Sequence, residues 1–539
     1  MPGGLMNLVF ESQQNCWLNG NPTKTFFKTT YAKYTNFGLQ KFRIDYDGSK
    51  FLRLNEESTF DFKMGRYGDL LMETYVVVSL PNIWSGILPP VEENGPWRPF
   101  EFKWIENIGA KMISQIVVYC GNQEIIRYSG DYLLAQLQRD FTGTKRKLFD
   151  EMSGNVPQIN NPAYYGLNNG NYPNAFYISE DYIPEPSIQA RPLYIPINNW
   201  FTMKSQLAFP LVSLQYNELH ITVTFRPISE LFVIRDVDDP QNNYPYISPN
   251  FNNPDNRLAR FIQPPPNYKQ DFSDYPDKTS WNTDIHLTST YCFLSDDERR
   301  LFALNDQNYL IKQVYEQIFY NVTTAQRIEV NSNGMVSAWM FYFQRSDANT
   351  RNEWSNYSNF PYNYPPEYIT QAPNNVIIDG QTYPGPGTNQ LYNTIVTSID
   401  NTKNILVDLG ILLDGSYREN TQPVGVYNYI GKYVQTPGYA PEGLYVYNFE
   451  LNTGNIIQPT GAINMVRFHI IELEFNTIVP PTNFLAQSTV ICDSESKQII
   501  GVNKNSWNIY QYNYDLHFFE ERINILQIQS GNAGMKWAY

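Results

Sequence analysis

Residues 219–226 alternate without a break: Leu219, Ile221, Val223 and Phe225 fall on one side, His220, Thr222, Thr224 and Arg226 on the other. A period of two sends successive side chains to opposite faces, so this stretch reads as a strand buried on one face and wet on the other. Apolar strand-like runs recur along the chain. The first half contains Tyr75-Val76-Val77-Val78 within 70–80 and Ile116-Val117-Val118-Tyr119. The second half contains 309–319, 334–343, 405–413, 443–451 and 463–475. Between them the sequence is dense in Pro, Asn and Tyr, and the whole holds 41 Tyr, 32 Phe and 36 Pro. Aromatic and β-branched residues favour strands, whereas Asn and Pro favour turns. The expectation is an all-β chain with long loops.

The 539 residues suit two large β-sandwiches of roughly 200–250 residues each. A boundary is expected near 304–308, dividing 31–304 from 305–523, with an arm at 1–30 and a C-terminal tail at 524–539. Loop insertions are expected near 141–190, near 227–283, which includes Pro264-Pro265-Pro266, and near 346–390. A linker at 227–283 is the competing division. Gly121-Asn122 between two apolar runs signals a hairpin. A short helix is expected over 131–140, where Leu133, Leu134 and Leu137 recur at helical spacing and Asp131 is placed to cap. Two β-rich halves of similar length point to a duplicated sandwich, read from organisation, since no residue-level repeat is visible.

Several kinds of chemistry find no support. The formal net charge of −14 argues against duplex DNA binding, which rests on basic patches. The one dense basic run, Lys145-Arg146-Lys147, reads as a solvated surface or a subunit contact. Cys16, Cys120, Cys292 and Cys492 lack metal-ligand spacing and read as reduced thiols. No secretory signal, acylation pattern or membrane-spanning run is expected. There is no P-loop, HExxH, paired CxxC or nucleophile elbow. His220 reads as a surface residue. Asp296-Asp297-Glu298 is offset by Arg299-Arg300, and Glu472 and Glu474 share a strand face with no matching acid elsewhere. No catalytic residue, cofactor or metal is expected. Two glycosylation sequons occur, at Asn321 and Asn356, and Asn356 is the better candidate because its loop is expected to face outward.

The stretch LNGNPTKTFFKTTYAKYTNF, residues 18–37, resembles the N-terminal signature of the major capsid proteins of nucleocytoplasmic large DNA viruses. Further blocks are similar in order and spacing. Gly121-Asn122-Gln123 and Asp131-Tyr132 resemble the family's first hairpin and helix, and LAFPLVSLQYNE (207–218) resembles its Leu-Pro-Leu strand. The segment 293–302, with Asp297-Glu298-Arg299, looks like the junction between two jelly rolls. GLYVYNFELNTGNIIQPTG (443–461), followed by Asn464, Arg467 and Leu473, and NILQIQSGNAGMKWAY (524–539) extend the resemblance to the end of the chain.

The resemblance implies two tandem eight-stranded jelly rolls that assemble as a pseudo-hexagonal homotrimer, the capsomer of an icosahedral shell. It implies contacts with neighbouring capsomers and with minor capsid, cement and penton proteins. It also implies residence in the virion's outer capsid after assembly in the host cytoplasm. The arm, with Phe26, Phe27, Lys28 and Tyr31, is then placed to reach a neighbouring subunit, ordering only on assembly. Two alternatives stand beside this: a minor capsid paralogue within the family, and, from another class, a β-sandwich glycan-binding protein or glycosidase.

Overall fold

The computed structural model describes residues 4–5, 16–88, 98–176, 183–237, 246–249, 251, 253–266, 276–349, 352–360, 375–378, 381–384, 403–480, 490–492, 499–502 and 512–537. Its first half is built from β1 (Phe37–Asp45), β2 (Ser58–Lys63), β3 (Leu70–Leu80), β4 (Ile113–Cys120) and β5 (Gln123–Tyr128). Helices α1 (Gly130–Asp140) and α2 (Gly143–Ser153) follow, then β6 (Arg191–Pro196), β7 (Phe209–Pro210), β8 (Leu219–Phe225) and β9 (His286–Leu294). Both β6 and β7 pair with β3, acting as one interrupted strand. The sheets are ordered β1-β9-β3-β6/β7 and β2-β8-β4-β5.

Helix α3 (Asp296–Leu304) leads into β10 (Gln307–Phe319), β11 (Ala325–Glu329), β12 (Met335–Arg345), β13 (Leu406–Leu413) and β14 (Ser416–Pro423). The set ends with β15 (Leu444–Asn448), β16 (Ile471–Thr477) and β17 (Tyr514–Gln529). These form sheets β10-β17-β12-β15 and β11-β16-β13-β14. Counting along each half, both show the order 1-8-3-6 facing 2-7-4-5. That is an eight-stranded jelly roll, occurring twice.

Alternation explains which face each strand buries. β8 is buried at Leu219, Ile221, Val223 and Phe225 and half-open between them, as its sequence requires. The β4–β5 hairpin turns at Gly121, whose φ of 60° lies in the left-handed region open to glycine. In the second roll the inner faces contribute Trp339, Phe341, Phe343, Leu409, Ile411, Leu473, Phe475 and Phe518 to one cluster. Each such side chain contributes about 1.5–3 kcal/mol on full burial.

Four expectations need correction. Helix α1 is capped by Ser129, whose hydroxyl accepts from Tyr132 N; Asp131 lies inside the first turn and pairs with Lys111 and Arg226 instead. The insertion near 141–190 opens with helix α2, which carries Lys145, Arg146 and Lys147. It forms because Phe149 packs on Leu134 and Leu137 of α1. The insertion near 227–283 is not structureless: Phe232–Arg235 pairs with Phe102–Trp104 and Tyr246–Ile247 in a small sheet above the first roll. Finally, 524–539 is not a tail, since β17 runs through to Gln529 and Asn532–Met535 folds back on it. Most of the insertion at 346–390 lies outside the described residues.

Candidate assembly surfaces

The two rolls meet through α1. In β17, Phe518 points into the second roll's own core, and its neighbour Phe519 points the other way, into the cluster that fills the first roll. Met340, Tyr342, Leu444 and Val446 do the same from β12 and β15. The outer face of the second roll is therefore covered by the first. Within this contact Tyr132 donates to Glu521 Oε1 (2.9 Å), Arg139 Nη2 donates to the same atom (2.7 Å), and Lys312 Nζ donates to Glu450 Oε1 (2.7 Å). Asp140 accepts from Arg139 (2.8 Å) and from Thr453 Oγ1 (3.0 Å).

Burial alone would raise the Glu521 carboxyl, but Arg139 and Lys312 outweigh it and hold the group below the usual carboxylate range. Glu450, sealed away with Lys312 as its ion partner, is pushed up by burial. Glu316 on β10 is raised to about 7 by burial, even though Ser129 N donates to it at 2.7 Å. His517, stacked on Tyr342 at 4.7 Å, is lowered to about 4, burial outweighing the pull of Asp131.

The arm is a different kind of surface. Phe26, Phe27 and Tyr31 are 88%, 100% and 89% exposed. Lys28 is exposed as well. Lys24 lies 5.3 Å from the Phe26 ring, a contact within the arm itself. Positions 12–44 contain Lys24, Lys28, Lys33, Lys41 and Arg43 and no acidic residue, in a chain of net charge −14. An apolar, basic segment with no cover from its own fold is suited to another surface.

A second exposed apolar segment lies between β14 and β15. A π-helical turn (Val426–Ile430) passes into Gly431–Tyr433, and Ile430, Tyr433 and Val434 stand in solvent. Beside them is a groove of about 600 Å³ lined by Tyr429, Ile430, Tyr433, Val434 and Tyr439. Lys432 lines it too, its amine pushed down to about 7 by burial.

The structure separates the remaining candidates. Asn356 is 3% exposed, with its amide donating to Phe360 O (2.8 Å); the outward-facing loop expected for it is instead folded in, leaving no room for a glycan. Asn321 is exposed at a turn with φ 58° and accepts from Asn513. His220 pairs with Asp61 across the sheet (2.9 Å). Arg299 reaches Asp69 (2.9 Å) as well as Asp296. Glu474 and Glu472 face Arg327 across β11–β16, at 3.0 Å and 3.8 Å, so they serve as cross-strand ion pairs. Cys120 and Cys292 are buried and Cys16 is exposed, all three free. Among the described residues no cluster of three or more His, Cys, Asp or Glu could hold a metal ion, and no helix is long and apolar enough to cross a membrane.

The buried Arg139 and Glu521 and the half-buried Lys312 were missed in sequence. Glu521 had a signal, the Glu520-Glu521-Arg522 run flanked by Phe518, Phe519 and Ile523 in one strand. The 429–434 segment also had a signal, apolar residues at helical spacing in YNYIGKYV.

Two consecutive jelly rolls with one strand order, joined face to flank, define a double jelly-roll protein. Comparison places it further. Residues 25–257 match the family described as "Major capsid protein N-terminus", and residues 298–534 match "Large eukaryotic DNA virus major capsid protein". The chain belongs to the major capsid protein family of large eukaryotic DNA viruses. The major capsid protein of Chrysochromulina ericina virus is 29% identical over 337 residues, 58% of this chain and 52% of that protein. That of Paramecium bursaria Chlorella virus 1 is 24% identical over 548 residues, spanning 100% of both. Against several relatives the chain spans about half their length, as with the 53% of the Phaeocystis pouchetii virus protein. The fold is similar to a quasi-atomic model of the PBCV-1 virus capsid, with TM-score 0.60 and 19% identity over 96% of this chain and 100% of that one. It is also similar to the Faustovirus major capsid protein, with TM-score 0.59 and 13% identity over 98% and 99%.

Proposed function

We propose that this chain is a structural capsid protein, not an enzyme, that self-associates into pseudo-hexagonal homotrimers tiling the icosahedral outer shell of a large DNA virus. The observation that carries the reading is the pairing of two like jelly rolls in one chain with an exposed arm and exposed apolar segments that the chain itself leaves uncovered. Six barrels from three chains give a ring whose outline approximates a hexagon, and a hexagon tiles a surface. The chain is divided accordingly into an arm (1–30), a first roll ending near 304 and a second roll beginning there. The arm, through Phe26, Phe27, Lys28 and Tyr31, meets an acidic face of a neighbouring subunit.

Partners are copies of itself, neighbouring capsomers, and minor capsid, cement and penton proteins. The place of assembly is the host cytoplasm, and the destination is the virion. Light scattering on the purified chain tests the reading. A cyclic trimer of 62.6 kDa chains has a mass of about 188 kDa. A monomer at all concentrations contradicts it.

A further inference from the structure

The helical segment between β14 and β15 turns two polar side chains inward. Asn428 is 2% exposed and Lys432 is 8% exposed. Four positions apart on a helical turn, they share a face, and Lys432 Nζ lies 3.0 Å from Asn428 Oδ1. A lysine buried this far is ordinarily paired with a carboxylate. Lys432 has none among the described residues; its other partner is the carbonyl of Pro441 (3.0 Å). Glu442, an acid lining the same groove, is held instead by Lys403 and by Tyr429. Burial pushes the Lys432 amine down to about 7, so much of it is uncharged and nucleophilic at neutral pH.

The amide beside it is arranged as an electrophile. Asn428 Oδ1 accepts from Lys432 Nζ and from Gly443 N (3.2 Å). Two donors on one atom fix which end of the amide is oxygen. The Gly443 N–H stands where negative charge develops if the adjoining carbon is attacked. Gly443 has φ 89°, and a β-carbon there would meet Tyr357 O at 2.4 Å, so only glycine brings that N–H to this place. At the other end of the amide, Nδ2 is buried with no hydrogen-bond partner. Nothing ties it down as a leaving group, and an orphaned buried donor is a cost that its loss would remove.

We propose that Lys432 and Asn428 join in an isopeptide bond, a covalent brace across the helical turn that walls the apolar groove. One N–H of Nζ stays on Pro441 O while the lone pair turns to Asn428 Cγ. The Nζ–Cγ bond forms, the Cγ–Nδ2 bond breaks, and the proton lost by Nζ passes to Nδ2, which leaves as ammonia. No oxidant, reductant or cofactor enters the balance. Glu442, whose charge acts on Lys432, is the ionised group on the groove that can carry the proton. The product holds neither the buried amine nor the orphaned Nδ2.

Mass spectrometry of the full chain tests the bond. Folded chain held at pH 8 is expected to be lighter by one ammonia. Trypsin is expected to leave it uncut after Lys432, giving residues 419–467 as one peptide with positions 428 and 432 joined. Formation slows as pH falls below about 7, where the amine takes up a proton. Chain kept in urea, Lys432→Arg and Asn428→Ala are each expected to keep the full mass. Full mass in the folded wild type, with normal cleavage after Lys432, overturns the proposal. So does an ammonia lost to a cyclic imide at Asn428 alone, which mild alkali opens and which leaves Lys432 open to trypsin.

Discussion

Arg139 of the first jelly roll and Glu521 of the second lie 2.7 Å apart, with both side chains 1% exposed. Nearly 400 positions separate them in sequence. Two charges taken out of water this completely are tolerable only when paired and further hydrogen-bonded. Here Tyr132 and Lys312 share the Glu521 carboxylate, and Asp140 accepts from Nε and Nη2 of the guanidinium, the latter shared with Glu521. The pair is a polar contact between the rolls within an otherwise apolar junction.

Removing one partner is therefore costly. Glu521→Leu is expected to lower stability by about 3–5 kcal/mol, the usual cost of stranding a buried charge. Chemical denaturation followed by tryptophan fluorescence checks it. The double variant Arg139→Met with Glu521→Leu is not expected to recover the loss, since the nearly buried Asp140 then loses its own ion partner.

The junction should also respond to pH. Glu316 is raised to about 7 in the folded chain by burial, against about 4.3 for a free glutamate. Between those values the folded state holds a proton that the unfolded state has lost. Stability attributable to this group is thus full below about pH 4.3 and falls as pH rises towards 7. Glu316→Gln keeps the acceptor for Ser129 N but cannot ionise. Its melting temperature is expected to exceed that of wild type at pH 8 and to match it near pH 4. A constant difference across that range would contradict the assignment.

Gly130 begins helix α1 where an alanine would ordinarily help by up to about 1 kcal/mol. A β-carbon there would meet Ala110 O at 1.9 Å. Gly130→Ala is expected to destabilise by about 1–3 kcal/mol, the range for overpacking, reversing the sign that helix propensity alone predicts. Thermal unfolding of the pair of proteins decides between the two.

Asn356 is held inside by its own amide, and Ser358 N donates to its Oδ1 at 3.0 Å. Peptide mass spectrometry of chain made in a glycosylating host is expected to find Asn356 unmodified. Occupancy above a few per cent of that site would require the segment to open during synthesis.

Deleting residues 1–31, which removes Phe26, Phe27, Lys28 and Tyr31, is expected to leave trimers intact by light scattering and to abolish shell formation seen by electron microscopy. Loss of the trimer on deletion would place the arm inside the capsomer rather than between capsomers.

Much of the architecture was legible in the sequence wherever one face of a strand is wet. β8 and β16 show the alternation of their sequences directly in their burial. β14 was not legible: SYRENTQP has no apolar face, and it is a strand only because β13 pairs with it. The 227–283 segment was hard to read for a similar reason, since Phe232–Arg235 pairs with Phe102–Trp104, over a hundred residues earlier, as well as with Tyr246–Ile247. The arm residues were legible as an apolar-basic segment, but Asn356 was not legible as buried, because composition alone does not say which way a loop folds.

The sequence by itself determined that this chain is built of strands in two like halves, because period-two alternation and turn residues are local properties. It also determined the family, through motif blocks spread from the arm to Asn524 and beyond. Only the tertiary structure decided that Phe518 and Phe519, adjacent on one strand, serve the cores of two different rolls. The same holds for Glu521, which lies next to Glu520 yet joins the rolls, whereas Glu520 accepts from Trp339 within its own roll. The physical reason is that alternation separates the two faces of a strand without saying what covers either. That assignment depends on contacts between residues far apart in the chain.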